Sequence, residues 1–268
     1  MKACLVLQVA DGAVRRLTVD PPLTVKIRPR RGSAVEVWLV GSAAALLEDD
    51  QLAMEIEVGP GCELVVRSVA STVAHPCPAK RWVTTRTRAR VASGGSLWWA
   101  PEPVIVAEGA RYRYRNEVEV GAGASCVWRE EVVLGRSGED PGRIELEGSL
   151  RIDVEGRPLV RDGLCSAAGW RGPAVVGGAR YVGALHVANR PVVPTRPVDT
   201  ADDRWFQLAG PGLSCRVLAD DPLDGRRRLD DAERQVGDLS LVRCGPPLAH
   251  PVPPPLDRAA VPGGMMSS

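Results

Sequence analysis

The chain has 268 residues, 44% of them hydrophobic, and a formal net charge of +1. That length suits one large domain or two small ones, and the near-neutral charge lacks the strongly basic footprint of a nucleic-acid-binding domain. No apolar run approaches the roughly 20 residues of a bilayer span, and Met1–Val9 is too short for a signal peptide, so neither a nucleic-acid nor a membrane partner is expected. Seven cysteines are scattered singly with no CxxC, which fits reduced thiols and a cytoplasmic location.

Taken in chain order, the first two-thirds predict strand after strand. Met1–Val9 alternates loosely and runs into Asp11-Gly12, a hairpin turn. Ala34–Val40 is rich in β-formers. Leu52–Val58 puts Met54, Ile56 and Val58 on one face and Glu55 and Glu57 on the other, the period-two signature of a half-buried strand. Arg81–Val91 aligns Arg86, Arg88 and Arg90. Arg111–Val120 aligns Arg111, Arg113, Arg115, Glu117 and Glu119 opposite Tyr112, Tyr114, Asn116, Val118 and Val120. Arg143–Val154 alternates again, with Gly148 breaking the count, and Tyr181–Ala188 reads as a further strand. A helix is expected over Arg228–Val236, where Leu229, Ala232 and Val236 share a face.

Three loose repeats lie in this region: Val58-Gly59-Pro60-Gly61-Cys62-Glu63-Leu64, Val91-Ala92-Ser93-Gly94-Gly95-Ser96-Leu97 and Val120-Gly121-Ala122-Gly123-Ala124-Ser125-Cys126. Each is a strand, a glycine turn and another strand. Stacked units of a solenoid and successive hairpins of a meander both produce this pattern. The predicted organisation is one β scaffold over residues 1–245, then a flexible proline-rich tail over residues 246–268, where prolines favour extended polyproline.

Catalytic signatures are missing: there is no GxxxxGK[ST], no GxSxG and no HExxH. The three histidines are His75, His186 and His250. Only His75-Pro76-Cys77 brings a histidine and a cysteine together, two weak metal candidates where a closed structural site wants four ligands. Glu48-Asp49-Asp50 offers oxygen ligands for a hard cation or, more simply, a turn between strands. Trp98 and Trp99 are adjacent on a strand and point to opposite faces, which makes either one an interface anchor candidate.

The segments over residues 41–160 resemble, in order, the urease accessory proteins of the UreD (also called UreH) family. Leu52–Gly61 resembles that family's strand and glycine turn. Pro101-Glu102-Pro103-Val104-Ile105 resembles its Pro-x-Pro-x-Ile segment. Glu131-Val132-Val133-Leu134-Gly135-Arg136 with Gly138-Glu139 resembles its Glu-leading Gly-Arg and Gly-Glu stretch, and Arg151–Leu159 its next strand and turn. Departures occur at Gly41–Asp50, where the family's glycine-rich segment is replaced, and in the C-terminal third. The resemblance implies an all-β, elongated β-helical or stacked-sheet scaffold with a small C-terminal helical part. It implies a non-enzymatic chaperone for nickel insertion into urease, acting with UreF, the GTPase UreG and apo-urease. It implies no tightly bound cofactor, only transient Ni2+, moved through an internal passage. Asp50, Glu102, Glu131, Arg136 and Glu139 are the implied nickel-passage or partner-contact residues. Two other readings are a β-rich module binding sugar or single-stranded nucleic acid through Trp98 or Trp99, and a small β-solenoid enzyme.

Overall fold

The computed structural model describes residues 1–29, 34–43, 46–166, 169–190 and 203–236. These belong to one unit spanning Met1–Gly237; the expected tail over residues 246–268, with His250, lies outside the described residues. The chain begins with β1 (Lys2–Ala10), β2 (Ala13–Val19), β3 (Leu23–Pro29) and β4 (Ala34–Gly41). It continues through β5 (Gln51–Val58), β6 (Glu63–Ser68), β7 (Thr72–Ala74), β8 (Val83–Val91), β9 (Ser96–Ala100) and β10 (Val104–Val106). Next come β11 (Arg111–Val120), β12 (Ser125–Leu134), β13 (Glu145–Val154), β14 (Arg157–Cys165), β15 (Tyr181–Ala188), β16 (Asp203–Gln207) and β17 (Gly212–Ala219), then helix α1 (Pro222–Gln235).

The strands form two sheets. One runs β14-β13-β11-β8-β5-β1-β2, the other β16-β17-β15-β12-β9-β6-β4-β3, with β7 and β10 joined to the second. From β4 to β13 the chain alternates between sheets and each return adds a parallel strand: β5, β8, β11 and β13 pair in parallel in one sheet, β4, β6, β9 and β12 in the other. The glycine repeats are therefore coils of a two-sheet β-solenoid, not hairpins of a meander. Antiparallel strands flank the solenoid at β2, β3, β14 and β15.

The repeat explains itself physically. Gly59–Cys62, Ala92–Gly95 and Gly121–Ala124 each close a four-residue turn with an i to i+3 hydrogen bond of 2.9–3.1 Å. The third position is Gly61, Gly94 or Gly123, each with φ between +63° and +69°, as a type II turn demands. Gly61 N–H donates to Ser93 and Gly94 N–H to Ala122, so the turns stack. Beside them Val9, Val58, Val91, Val120 and Val154 occupy one register row across five strands. All five are buried. A β-branched side chain packs well on such a pleated surface, and the row is one wall of the core.

The break at Gly148 has a packing cause. Gly148 pairs with Tyr114 in the sheet, and a Cβ there would lie 2.1–2.3 Å from the Tyr114 ring. The alternation fails because that space belongs to the neighbouring strand's tyrosine. Helix α1 starts six residues earlier than apolar spacing alone predicts. Asp221 caps it by accepting from Leu223 N–H at 3.1 Å and Pro222 fills the first turn, both standard start signals. Of its first six residues three are charged, Asp224, Arg226 and Arg227, so a search for apolar periodicity passes over them.

Candidate functional site

The second sheet is split. β6 ends at Ser68 and β7 resumes at Thr72; β9 ends at Ala100 and β10 resumes at Val104. Thr72, Val104 and Val132 then share one register position, so Val69–Ser71 and Pro101–Pro103 leave the ladder at the same level of successive coils. Prolines suit that departure because they withhold backbone donors. Behind the gap lies a cavity of about 410 Å³. Tyr112, Tyr114, Asn116, Thr85 and Thr87 line its first-sheet side; Trp99, Glu130 and Val132 line the second.

Glu130 is the carboxylate inside this space. β12 alternates, so Trp128 and Glu130 face the core while Arg129 and Glu131 turn towards α1 and border the cavity at the split in the sheet. Trp128 stacks on Trp99 at 4.8 Å and 9°. Glu130 Oε1 accepts from Asn116 Nδ2 at 2.6 Å and from Trp128 Nε1 at 3.0 Å. Opposite it, Thr85 and Tyr112 hydroxyls bond at 2.7 Å. Burial, and then the Glu130 charge, push the Tyr114 phenol well up.

Beyond Glu130 a further void of about 10 Å³, room for about one water molecule, is bounded by Tyr114, Glu130, Asp162 and Arg216. Asp162 pairs with the Arg216 guanidinium and lies 3.3 Å from His186 Nε2. His186 Nδ1 meets Ser214 Oγ at 3.0 Å. Burial lowers the His186 pKa below its ordinary 6.5, so the ring is mainly neutral at pH 7. Serine, histidine and aspartate here share a list of parts with a hydrolytic triad. Ser214 is only 7% exposed, however, and neither it nor His186 lines the cavity. The arrangement is one of packing.

The outer face of β12 faces α1. Arg129 is 4% exposed. Its Nε donates to Glu131 at 2.7 Å and its Nη1 to Asp230 at 2.6 Å and Glu233 at 2.5 Å. Burial opposes that charge, yet Glu131 and then Glu233 hold the guanidinium well above its ordinary pKa. Tyr181 donates to Glu131 at 2.6 Å. Glu102 is gripped through both oxygens by Arg226.

The candidates named from sequence therefore separate. Glu102 and Glu131 line the same cavity, together with Glu130, which was not singled out. Asp50 is buried; it accepts from Leu47 N–H at 2.9 Å and pairs with the Met1 amino group at 2.7 Å. Glu48 accepts from Arg81 N–H at 2.8 Å and Ala79 N–H at 3.1 Å, so the acidic stretch is a turn clamped to its neighbours. Arg136 and Glu139 bind each other at 2.6 Å, and Glu139 also accepts from the Arg136 and Glu108 N–H groups. Cys77 Sγ donates to the His75 carbonyl at 3.5 Å, and among the described residues no group of three or more His, Cys, Asp or Glu is placed to hold a metal ion. Trp98 and Trp99 do point to opposite faces, and both are 4% exposed. Trp98 donates to Glu233 at 2.8 Å, so its anchoring contact is to the protein's own helix, and neither indole offers a free face for a sugar or base.

The Glu139 clamp makes a pH prediction. The Arg136 side chain and backbone lower the Glu139 pKa from 4.5 to about 2. A lowered carboxylate pKa gives stability that is present above the unfolded value and lost as pH falls through the folded one. Glu139→Gln is therefore expected to be less stable than wild type above about pH 5, with the gap closing as pH falls from 4.5 towards 2. Urea melts across that range read it; a gap that widens on acidification would contradict the clamp.

Two sheets with parallel central strands, wound into a solenoid around a polar, carboxylate-bearing cavity with a helix clamped to the outside, define a β-solenoid protein. The UreD urease accessory protein family model matches residues 2–244, and the chain belongs to that family. A urease accessory protein UreD from Parafrankia sp. (strain EAN1pec) is 39% identical, over 85% of this chain and 86% of the relative. Those from Streptomyces avermitilis and Frankia alni are 37% and 38% identical over 81% of this chain and 88% and 82% of theirs. No helix among the described residues is long and apolar enough to cross a membrane.

Proposed function

We propose that this protein is a non-enzymatic scaffold for nickel insertion into urease, acting in the cytoplasm with UreF-like and UreG-like proteins and apo-urease. The observation that carries the reading is the interior carboxylate Glu130, set between a cavity open at the split sheet and the inner Asp162–Arg216 pair. Nickel is cargo here, not a resident cofactor. A moving cation must be held firmly enough to enter and loosely enough to leave. Single carboxylate, hydroxyl and amide oxygens hold a divalent transition metal less tightly than clustered imidazole or thiolate. In this proposal Glu130, Asn116 and the Thr85–Tyr112 hydroxyls supply such contacts inside, while Glu102 and Glu131 stand on the cavity wall. Asp50, Arg136 and Glu139 hold loops that shape the scaffold.

Glu130→Leu tests this reading. In activation of apo-urease with the accessory proteins, the nickel delivered per urease is expected to fall on the order of 10-fold, the scale of losing one metal-orienting partner. Co-purification with the UreF-like protein is expected to persist. Full nickel delivery by a folded Glu130→Leu variant would remove Glu130 from the path.

A further inference from the structure

Helix α1 carries Arg226, Asp230 and Glu233 at i, i+4 and i+7, positions that share one face. Each is tied to a residue that lines the inter-sheet cavity: Arg226 to Glu102, Asp230 and Glu233 to Arg129. Arg129 in turn holds Glu131, also on that wall. The apolar residues that α1 itself brings to the same contact are few. Leu229, Ala232 and Val236 are its buried hydrophobic residues, with Gly225 set against the Tyr181 ring, where a Cβ would lie 2.3 Å away. Leu223 is 66% exposed. One terminal nitrogen of Arg129, Nη2, is buried without a hydrogen-bond partner, so even the docked network is incompletely satisfied.

An interface of this kind is finely balanced. Docking buries Arg129, Glu131 and Glu233 and partly covers Arg226, Glu102 and Asp230, and their mutual attraction only roughly offsets the cost of the lost water. Release breaks every tie between helix and wall at once and leaves Arg129 bonded to Glu131 on β12. We propose that α1 is a detachable clamp: docked, it occupies the wall residues Glu102 and Arg129; released, it frees both without unfolding the solenoid. The consequence for nickel rests on the passage reading above. With α1 docked, Glu102 is neutralised by Arg226 at the cavity wall; with α1 released, that carboxylate can meet a cation. Docking would then set when the cavity accepts its cargo.

Hydrogen exchange of the full chain tests the clamp without nickel, urease or any partner, so its result stands whether or not the passage reading does. Amides of residues 222–236 are expected to exchange through a local opening while β9 and β12 stay protected. Raising NaCl to about 1 M, which screens the partly exposed Arg226–Glu102 pair more than the buried ones, is expected to speed helix exchange alone. Arg226→Gln removes one tie at a partly exposed site and is expected to speed it on the order of 10-fold, again leaving the strands unchanged. Glu102→Gln, in the loop, is expected to do the same. Exchange of helix and strands together as one unit would overturn the clamp, and so would a local opening indifferent to salt and to both substitutions.

Discussion

Gly148→Ala is expected to lower stability by about 3 kcal/mol, the upper part of the usual range for an overpacked core. At this chain length that is about 6–12 °C in Tm. On an open strand, alanine would help slightly, because glycine carries an entropic penalty there. Here the added carbon would sit 2.1–2.3 Å from the Tyr114 ring, and Tyr114 is wedged between the sheets at 9% exposure. Relief would require the ring to turn towards the cavity it lines, away from its place against Tyr112. The cause is checked by a double-mutant cycle. Tyr114→Leu should be destabilising alone, yet restore part of the loss in the Gly148→Ala background, with a coupling of about 1 kcal/mol or more. Additive losses would mean that Gly148 is required for a reason other than the ring.

The second large effect is expected at Arg129. Arg129→Met should cost about 3–5 kcal/mol, because it leaves buried carboxylates without their counter-charge. Glu131 and Glu233 are 7% and 8% exposed, and the Tyr181 and Trp98 bonds that remain do not replace a full positive charge. Arg129→Met combined with Glu233→Leu should recover part of the loss, since it removes one of the two uncompensated buried carboxylates while Glu131 stays. Thermal melts of the two variants decide it. If the double variant is worse than the single one by the full cost of a second lesion, the network is not electrostatic in origin.

These two residues also mark how far the sequence alone could be read. Strands with one wet face were legible: the Arg86–Arg90 and Arg111–Glu119 faces alternate cleanly because one side meets water. There Arg86 and Arg88 pair with Glu117, and Arg90 with Glu119. The glycine turns were legible as turns, but not as stacked turns. Type II geometry is local, whereas parallel pairing joins residues about thirty positions apart and leaves no local mark.

The site was harder. Glu130 and Glu131 are neighbours, so one must face inward and one outward. Motif matching drew attention to Glu131, while strand alternation from the buried Trp128 was the signal that placed Glu130 inside. Nothing local marks Arg129, because its partners Asp230 and Glu233 come about a hundred residues later. Trp98, an interface anchor candidate from sequence, lies beneath the protein's own helix and donates to Glu233.

The central claim, that this scaffold serves nickel insertion into urease, is tested most directly by the metal content of the client. Urease should be produced with its accessory proteins, with and without this chain, in nickel-supplemented cells, then purified and analysed for nickel per active site. The account predicts intact urease protein with its nickel sites largely empty when the chain is absent, filled again when the chain is supplied. Fully loaded urease in the absence of the chain would contradict it.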